Sequence, residues 1–527
     1  HGGCGVQMKK ETVILAALML AGVLARIAFL GAVPDGYFRD EAFAGYHAWC
    51  ILNCGEDLWG CHYPMYFISC GSGMNALGVY LMIPFIALFG CVPLALRLPQ
   101  AIVACLSLWV FYLLIKRLFG EKAGLIGLFL LAVCPWHIMM SRWGLESNLA
   151  PGFLLFGFYF FILGCEKPKY LLLSALMYGL ELYAYSATWI AVVPMLILML
   201  VYGLSVRKIR FDRYFFGALG IYLVFLVPVV LFLLVNYNVI EPINTRFFSV
   251  PKMVVFRADD VEFDFIRNFS KFAKMVVFQN DGWPSSGIPR FGLCYIFSLP
   301  FILAGFAVVL RSAIVDMKKR VFSPLVPVLV WLFAALVMAC LVKPAVVRNN
   351  FTWFCGIILM TAGVAYLCEH LKKTGAAVIA LYALSFVWFQ YTYYTEWNGQ
   401  MAENFCAGLG NALESASKRD GDIYLECVSG IGGYMYTAFY MKIPPKEFRE
   451  SVVWQKFPAK YLRAEELGRY KFTDNMCDSK GYVSEERENL PRTPGKNTYI
   501  IYTRYRDVYE RAGCKIEPHG VVAVAYR

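Results

Sequence analysis

Asp40-Glu41 sets two adjacent carboxylates at the head of an amphipathic segment, Glu41–Asn53, just after the turn-forming run Pro34-Asp35-Gly36. A carboxylate placed there can take a proton from an alcohol and make it a nucleophile. It can also be architecture: Asp is a favoured N-cap, and Asp40 ahead of a helix from Glu41 would stabilise it by about 1 kcal/mol. Glu41 would suit the first turn of that helix as well. Arg26 weighs toward chemistry, because it lies fourteen residues earlier, inside the first apolar stretch. An ionisable residue within a span costs about 2.5–3.5 kcal/mol and usually faces a partner in the bundle interior.

A second constellation is Pro135-Trp136-His137, Ser141-Arg142-Trp143 and Glu146, where one apolar stretch ends and the next begins. An Arg fork matches phosphate oxygens, and His137 adds a donor. The plain alternative is a belt of interfacial anchors with an Arg142–Glu146 pair at i, i+4. Among the other cations near span ends (Arg97, Arg246, Arg290, Arg348), Arg348 and Arg246 are expected to reach a phosphate. The rest would snorkel or pair with Glu181 or Glu241. Asp57, His62 and Tyr63 in the first loop, and Asp281 and Trp283 in Gln279–Pro284, could line a sugar or acceptor site; a simple loop turn is the competing reading for the latter.

The chain has six histidines, none at His-x-x-x-His spacing, and no doubled Cys-x-x-Cys. No dedicated metal site is therefore expected. A divalent ion at Asp40/Asp57 is the only cofactor that the residues suggest, and weakly. Cys50, Cys54, Cys61 and Cys70 crowd the first loop. A disulfide there competes with reduced thiols, and reduced thiols are the favoured reading.

The elements that must position these groups are membrane spans. With 527 residues, 59% hydrophobic and 16% charged, the composition is that of a polytopic membrane protein. Eleven spans are expected: 12–32, 93–115, 123–140, 149–165, 170–185, 187–205, 214–236, 292–311, 324–342, 351–368 and 375–393. Alternate connections carry the Lys/Arg clusters, which puts the N-terminus inside and the C-terminus outside. The net charge of +12 is absorbed by those loops, and nucleic acid is not an expected partner. Ala76–Gly90 is apolar but short, and is placed as an interfacial helix. His1–Gln7 precede Met8 and read as an expression scar, so the expected division is 1–7, a transmembrane module over 8–395, and a small α/β domain outside the membrane over 396–527. Outer loops are expected at 33–92 and 237–291. In the tail, 400–417 reads as helix and Asp422–Val428, Asn497–Thr503 and Val521–Tyr526 as strands.

The acidic doublet after the first span, followed by Gly55-x-Asp57-x-x-Gly60 and the Pro64-x-Tyr66 run, resembles one family. Phe89-Gly90, Arg97-Leu98-Pro99, Pro135-Trp136-His137 and Ser141-Arg142 continue the likeness, which covers about 8–395. This is the C-type (GT-C) glycosyltransferase group, with its protein O-mannosyltransferase-like and aminoarabinose-transferase-like members. The resemblance implies a polyprenyl-phosphate-sugar donor (undecaprenyl phosphate in a bacterial plasma membrane) and a multi-span fold with two interfacial helices in the first outer loop. It implies an outward-facing site with Asp40 as base and Glu41 beside it. Where the aminoarabinose branch carries a Lys, this chain has His62-Tyr63-Pro64-Met65, which shifts the expected phosphate contact to Arg142 or Arg348. The expected function is transfer of a hexose or pentose to a cell-envelope glycan, lipid or protein hydroxyl with inversion. The alternative is a flippase or transporter for a lipid-linked saccharide.

Overall fold

The computed structural model describes residues 2–256, 264–428, 430–472 and 497–527, the side chains of 2–10, 430 and 431 excepted. The end of the mixed-charge stretch 418–480 lies outside them. In chain order the elements begin α1 (Gly2–Ile27), α2 (Arg39–Cys54), β1 (Tyr66–Ser69), β2 (Ser72–Asn75), α3 (Ala76–Phe89), α4 (Pro93–Phe119), α5 (Glu121–Ala132) and α6 (Pro135–Ser141). There follow α7 (Ala150–Gly164), α8 (Tyr170–Glu181), α9 (Trp189–Ser205), α10 (Arg213–Asn236), β3 (Ile243–Asn244), β4 (Ser249–Val250), α11 (Phe265–Phe278), α12 (Leu299–Lys318), α13 (Leu325–Leu341), α14 (Asn350–His370) and α15 (Lys372–Thr392). The tail holds α16 (Asn398–Met401), α17 (Leu409–Ser417), β5 (Ile423–Leu425), α18 (Gly430–Met441), α19 (Pro445–Ser451), β6 (Val452–Trp454), β7 (Ala464–Leu467), β8 (Tyr470–Phe472), β9 (Thr498–Tyr502), α20 (Arg506–Arg511), β10 (Lys515–His519) and β11 (Val522–Tyr526).

Two compact units result. The first comprises residues 1–30, 97–229 and 260–397 and is all helical. Apolar runs in a membrane must satisfy their own backbone groups, and helices do so. A helix stands at each of the eleven expected spans. Among the described residues seven are long and apolar enough to cross a bilayer, or eight if the α5–α6 pair counts as one; α8 and α13 are shorter. The expected continuous span 123–140 is corrected: α5 and α6 meet at a 58° bend. Pro135 has no N–H to continue the helix and drives the preceding Cys134 to extended backbone at φ −69°, ψ 118°. Helices α12 and α14 pack backbone to backbone. A Cβ on Gly305 would stand 1.8 Å from the Leu359 carbonyl oxygen, and one on Gly363 2.1 Å from that of Phe301.

The second unit comprises 31–96, 230–259 and 398–527, so the tail folds together with residues 33–92 and the first part of the 237–291 loop, whose remainder belongs to the first unit. Its sheet runs β10-β11-β9-β5-β8-β7-β6, with β9-β5-β8 parallel and the other pairs antiparallel. All three expected strands are present, as β5, β9 and β11. The expected helix 400–417 is broken between Met401 and Leu409, where Cys406 and Gly408 sit at φ 48° and 83°. Helix α3 occupies the expected short apolar segment. Helix α2, expected to be amphipathic, is buried continuously from Glu41 to Ala48.

Candidate active site

In the second unit the acidic pair is held by the turn before it. Gly36 has φ 83°, and a Cβ there would lie 2.2 Å from the Phe405 carbonyl oxygen, so only glycine fits. The Tyr37 N–H donates to that same oxygen at 2.6 Å, and the Tyr436 hydroxyl donates to the Tyr37 carbonyl at 2.9 Å. Helix α2 then starts at Arg39, two residues earlier than expected, with Phe38 as N-cap. Asp40 is therefore not the cap. Glu41 reaches back instead, its Oε2 accepting the Phe38 N–H at 3.3 Å, and is fully buried. Asp40 in the first turn keeps a third of its side chain exposed and pairs with Arg39 Nε at 3.3 Å. The two carboxylates thus have different surroundings: Glu41 secures the helix start, and Asp40 stays partly exposed beside Arg39.

Arg39 also lies in the electrostatic neighbourhood of Cys70 and Tyr436, and Tyr434 in that of Cys70 and Arg39. Burial pulls the Arg39 guanidinium down, but Asp40 together with Cys70 and Tyr436 more than offsets it and leaves its pKa above the ordinary value. Tyr434 and Tyr436 come from α18, in the tail. Nothing in the sequence near Asp40 points to them.

Asp57 is not open to a ligand. Its Oδ1 accepts the N–H groups of Trp59 and Cys61, each at 2.9 Å, closing the Gly55–Cys61 turn. The residue is fully buried, and burial pushes its carboxyl up to about 6 although the two N–H donors pull the other way. The His62 ring nitrogen Nδ1 lies 3.1 Å from the Gly55 carbonyl oxygen, and the His62 N–H donates to Asn244 Oδ1 at 3.3 Å. Arg449 pairs with Glu56 at 2.9 Å, and Trp454 stacks on Trp59 at 5.9 Å, so tail residues secure this loop. Tyr63 is 44% exposed, and Arg246 is exposed with its guanidinium 5.7 Å from the Phe247 ring centre. Cys50, Cys54, Cys61 and Cys70 are free thiols. No group of three or more His, Cys, Asp or Glu side chains able to hold a metal occurs among the described residues, around Asp40 and Asp57 or elsewhere.

In the first unit the expected phosphate clamp is largely occupied. His137 Nδ1 accepts from Arg26 Nε at 3.0 Å, with Arg26 Nη2 2.7 Å away. Arg26 further donates to the carbonyls of Gly22 (2.7 Å), Leu131 (2.8 Å) and Ala132 (3.3 Å). Leu131 and Ala132 close α5; Pro135 has no N–H for the Leu131 carbonyl, which keeps a 3.3 Å bond from the Cys134 N–H, and the Trp136 N–H goes to the Leu293 carbonyl, so the buried guanidinium supplements these helix-end carbonyls. Arg142, also buried, donates to the Arg26 carbonyl at 3.2 Å and lies 5.6 and 5.3 Å from the ring centres of Tyr393 and Tyr394. It caps α6, while Glu146 opens a separate 3-10 turn, so the two do not share a helix as an i, i+4 pair would.

Asn350 links the start of α14 to this region, accepting from Trp136 Nε1 at 3.0 Å and donating to Asn148 Oδ1 at 3.0 Å. Asp281 holds a turn: Oδ1 takes the Trp283 N–H at 3.0 Å and Oδ2 the Val346 N–H at 2.8 Å. Trp283 is 66% exposed. Arg290 pairs with Glu396 at 2.8 Å, and Glu181 accepts the Thr188 hydroxyl. Arg348 is exposed and carries no hydrogen bond or ion pair among the described residues.

Residues 76–232 match the family model described as dolichyl-phosphate-mannose-protein mannosyltransferase. The comparison with curated proteins gives no match. Two crystal structures of ArnT from Cupriavidus metallidurans share the fold. The apo form has TM-score 0.53 at 10% identity, covering 99% of this chain and 98% of that one. The form bound to undecaprenyl phosphate has TM-score 0.51 at 11% identity, covering 98% and 97%. Residues 76–232 are thus similar to that family model, and the chain as a whole shares the fold of the two ArnT structures.

Proposed function

We propose that this protein transfers a sugar from a polyprenyl-phosphate-linked donor to an acceptor hydroxyl, with Asp40 as the base. The observation that carries this is the contrast within the acidic doublet: Glu41 is buried at the helix start, whereas Asp40 is a third exposed beside Arg39. The donor class is supported by the family described for residues 76–232 and by the undecaprenyl phosphate bound in the ArnT structure. The leaving group is a phosphate of low basicity. One carboxylate to deprotonate the acceptor then suffices, with cations to receive the departing charge. Direct displacement inverts the anomeric centre. Arg246, exposed in the same unit as Asp40, is the cation assigned to the donor phosphate, and Tyr63 of that unit is the exposed ring assigned to sugar or acceptor. Arg26, His137 and Arg142 support the helices around them. The proposed topology is the eleven-span one, with the N-terminus inside and both Asp40 and the 398–527 tail outside.

The test is the full chain in lipid nanodiscs, supplied with radiolabelled polyprenyl-phosphate-mannose and solubilised envelope material. Wild type should move label from the lipid to an acceptor, and Asp40→Asn should abolish transfer while unfolding at the wild-type temperature. Near-wild-type turnover in Asp40→Asn would reject the base. Movement of the donor across the bilayer without any transfer would favour the flippase alternative.

A further inference from the structure

Helix α11 has three different faces. Asn268, Phe272 and Met275, at i, i+4 and i+7, are buried, and the helix packs on α13. Asn268 Nδ2 donates to the Cys340 carbonyl at 3.1 Å, which fixes α11 at the last turn of α13. One residue ahead of that buried stripe, at the same spacing, stand Arg267, Lys271 and Lys274, all exposed. The third face is apolar and uncovered: Ile266 is 85% exposed, and Phe265, Phe269 and Val277 are nearly half exposed. At about 100° per residue, the apolar face and the cations lie roughly 150° apart around the axis.

The helix contains no acidic residue, and Lys271 and Lys274 carry no hydrogen bond or ion pair among the described residues. A further cation comes from the link after α13. Cys340 is tied to Asn268, and the Val346 N–H to Asp281 Oδ2 beyond the end of α11, so the link runs along the helix and brings the exposed Lys343 beside it. A helix with apolar side chains on one side and Lys/Arg on the other lies in the plane of a bilayer interface. Its apolar side enters the acyl chains and its cations meet the headgroups. The position agrees, since Cys340 closes an apolar helix whose Phe333 and Leu336 are exposed, Leu336 one turn before it. A soluble polyanion would answer the cations and leave Ile266 and the phenylalanines in water. A neutral lipid would cover the apolar face and leave the cations without a counter-charge. A lipid with a net negative headgroup supplies both.

We propose that α11 is a docking surface for anionic phospholipid, with its apolar face among acyl chains and Arg267, Lys271, Lys274 and Lys343 on the negative headgroups. This site does not depend on the roles given to Asp40 or Arg246. The test places the full chain in phosphatidylcholine nanodiscs holding a small fraction of photoactivatable phosphatidylglycerol or, in parallel, of the matching phosphatidylcholine, with labelled peptides located by mass spectrometry. At low salt, residues 264–278 should take up roughly fivefold more of the phosphatidylglycerol probe, the worth of one cation beside an anionic surface. Salt near 1 M should remove most of that excess. Arg267→Gln, Lys271→Gln and Lys274→Gln together should bring the two probes to parity with the unfolding temperature unchanged, because surface substitutions move stability little. Lys271→Arg with Lys274→Arg should keep the excess. The salt arm uses the unaltered chain and decides the matter even where the triple variant fails to fold. Equal uptake of the two probes by wild type, an excess unmoved by salt or by the triple variant, or no label on α11 would overturn the proposal. So would retention of polyglutamate by nanodiscs without anionic lipid while the two probes label equally, which assigns the cations to an acidic polymer.

Discussion

Asp57→Asn separates a structural carboxylate from a catalytic one, and the structure sets the size of the effect. The carboxyl is fully buried and rises from its ordinary 3.8 to about 6, chiefly through burial. Each pH unit is worth 1.36 kcal/mol, so ionised Asp57 costs the fold roughly 3 kcal/mol at neutral pH. The folded-state value lies above the unfolded one. The associated stability is therefore present in full below about 3.8 and is lost as pH rises through about 6. Asparagine keeps an oxygen for the Trp59 and Cys61 N–H groups and never ionises. It also places an NH2 where Oδ2 has no hydrogen-bond partner, which costs about 1–3 kcal/mol at every pH. The difference between variant and wild type should thus shift in the variant's favour by roughly 2 kcal/mol between pH 4.5 and 7.5. Unfolding of both proteins in detergent across that range measures it, and subtracting wild type removes the other carboxylates. Transfer activity should survive. A difference that does not change with pH would refute the buried-carboxylate reasoning. Abolished transfer in a stably folded variant would restore Asp57 to the acceptor site.

Glu41→Gln should fold and retain activity, because the amide oxygen still accepts the Phe38 N–H, whereas Glu41→Ala should lose about 1 kcal/mol of stability. Total loss of transfer in Glu41→Gln alone, with Asp40→Asn active, would exchange the roles of the two acids. Arg142→Ala should cost about 2–4 kcal/mol, from its bond to the Arg26 carbonyl and its contacts with Tyr393 and Tyr394. Unchanged unfolding together with weakened binding of a polyprenyl phosphate would return Arg142 to the phosphate clamp.

The helices were legible because a bilayer demands long apolar runs, and each of the eleven runs is helical. The bend at Cys134-Pro135 was written in the proline, although its carbonyl acceptors were not. The surroundings of Asp40 were much harder to read. Tyr436 stands 399 residues from the Tyr37 carbonyl it bonds, and the stack of Trp454 on Trp59 joins the tail to the first loop; local patterns do not encode contacts at such separations. The Gly55–Gly60 motif was visible, but an Asp followed by Gly in a turn satisfies backbone N–H groups as readily as it binds a ligand.

The Arg26, His137 and Arg142 cluster exposes a more general ambiguity. A phosphate clamp and a repaired helix end need the same chemistry: a fixed cation with several donors, next to a break in regular backbone. A phosphate offers oxygens to the fork, and so do the end carbonyls of a helix cut by proline. The residue types are identical, and only the partner differs. Here Leu131, Ala132 and His137 take up the Arg26 donors, so the proline that marks the cluster in the sequence also explains why it is occupied. Arg348, by contrast, is exposed and carries no hydrogen bond or ion pair among the described residues, so its donors are not committed to a helix end.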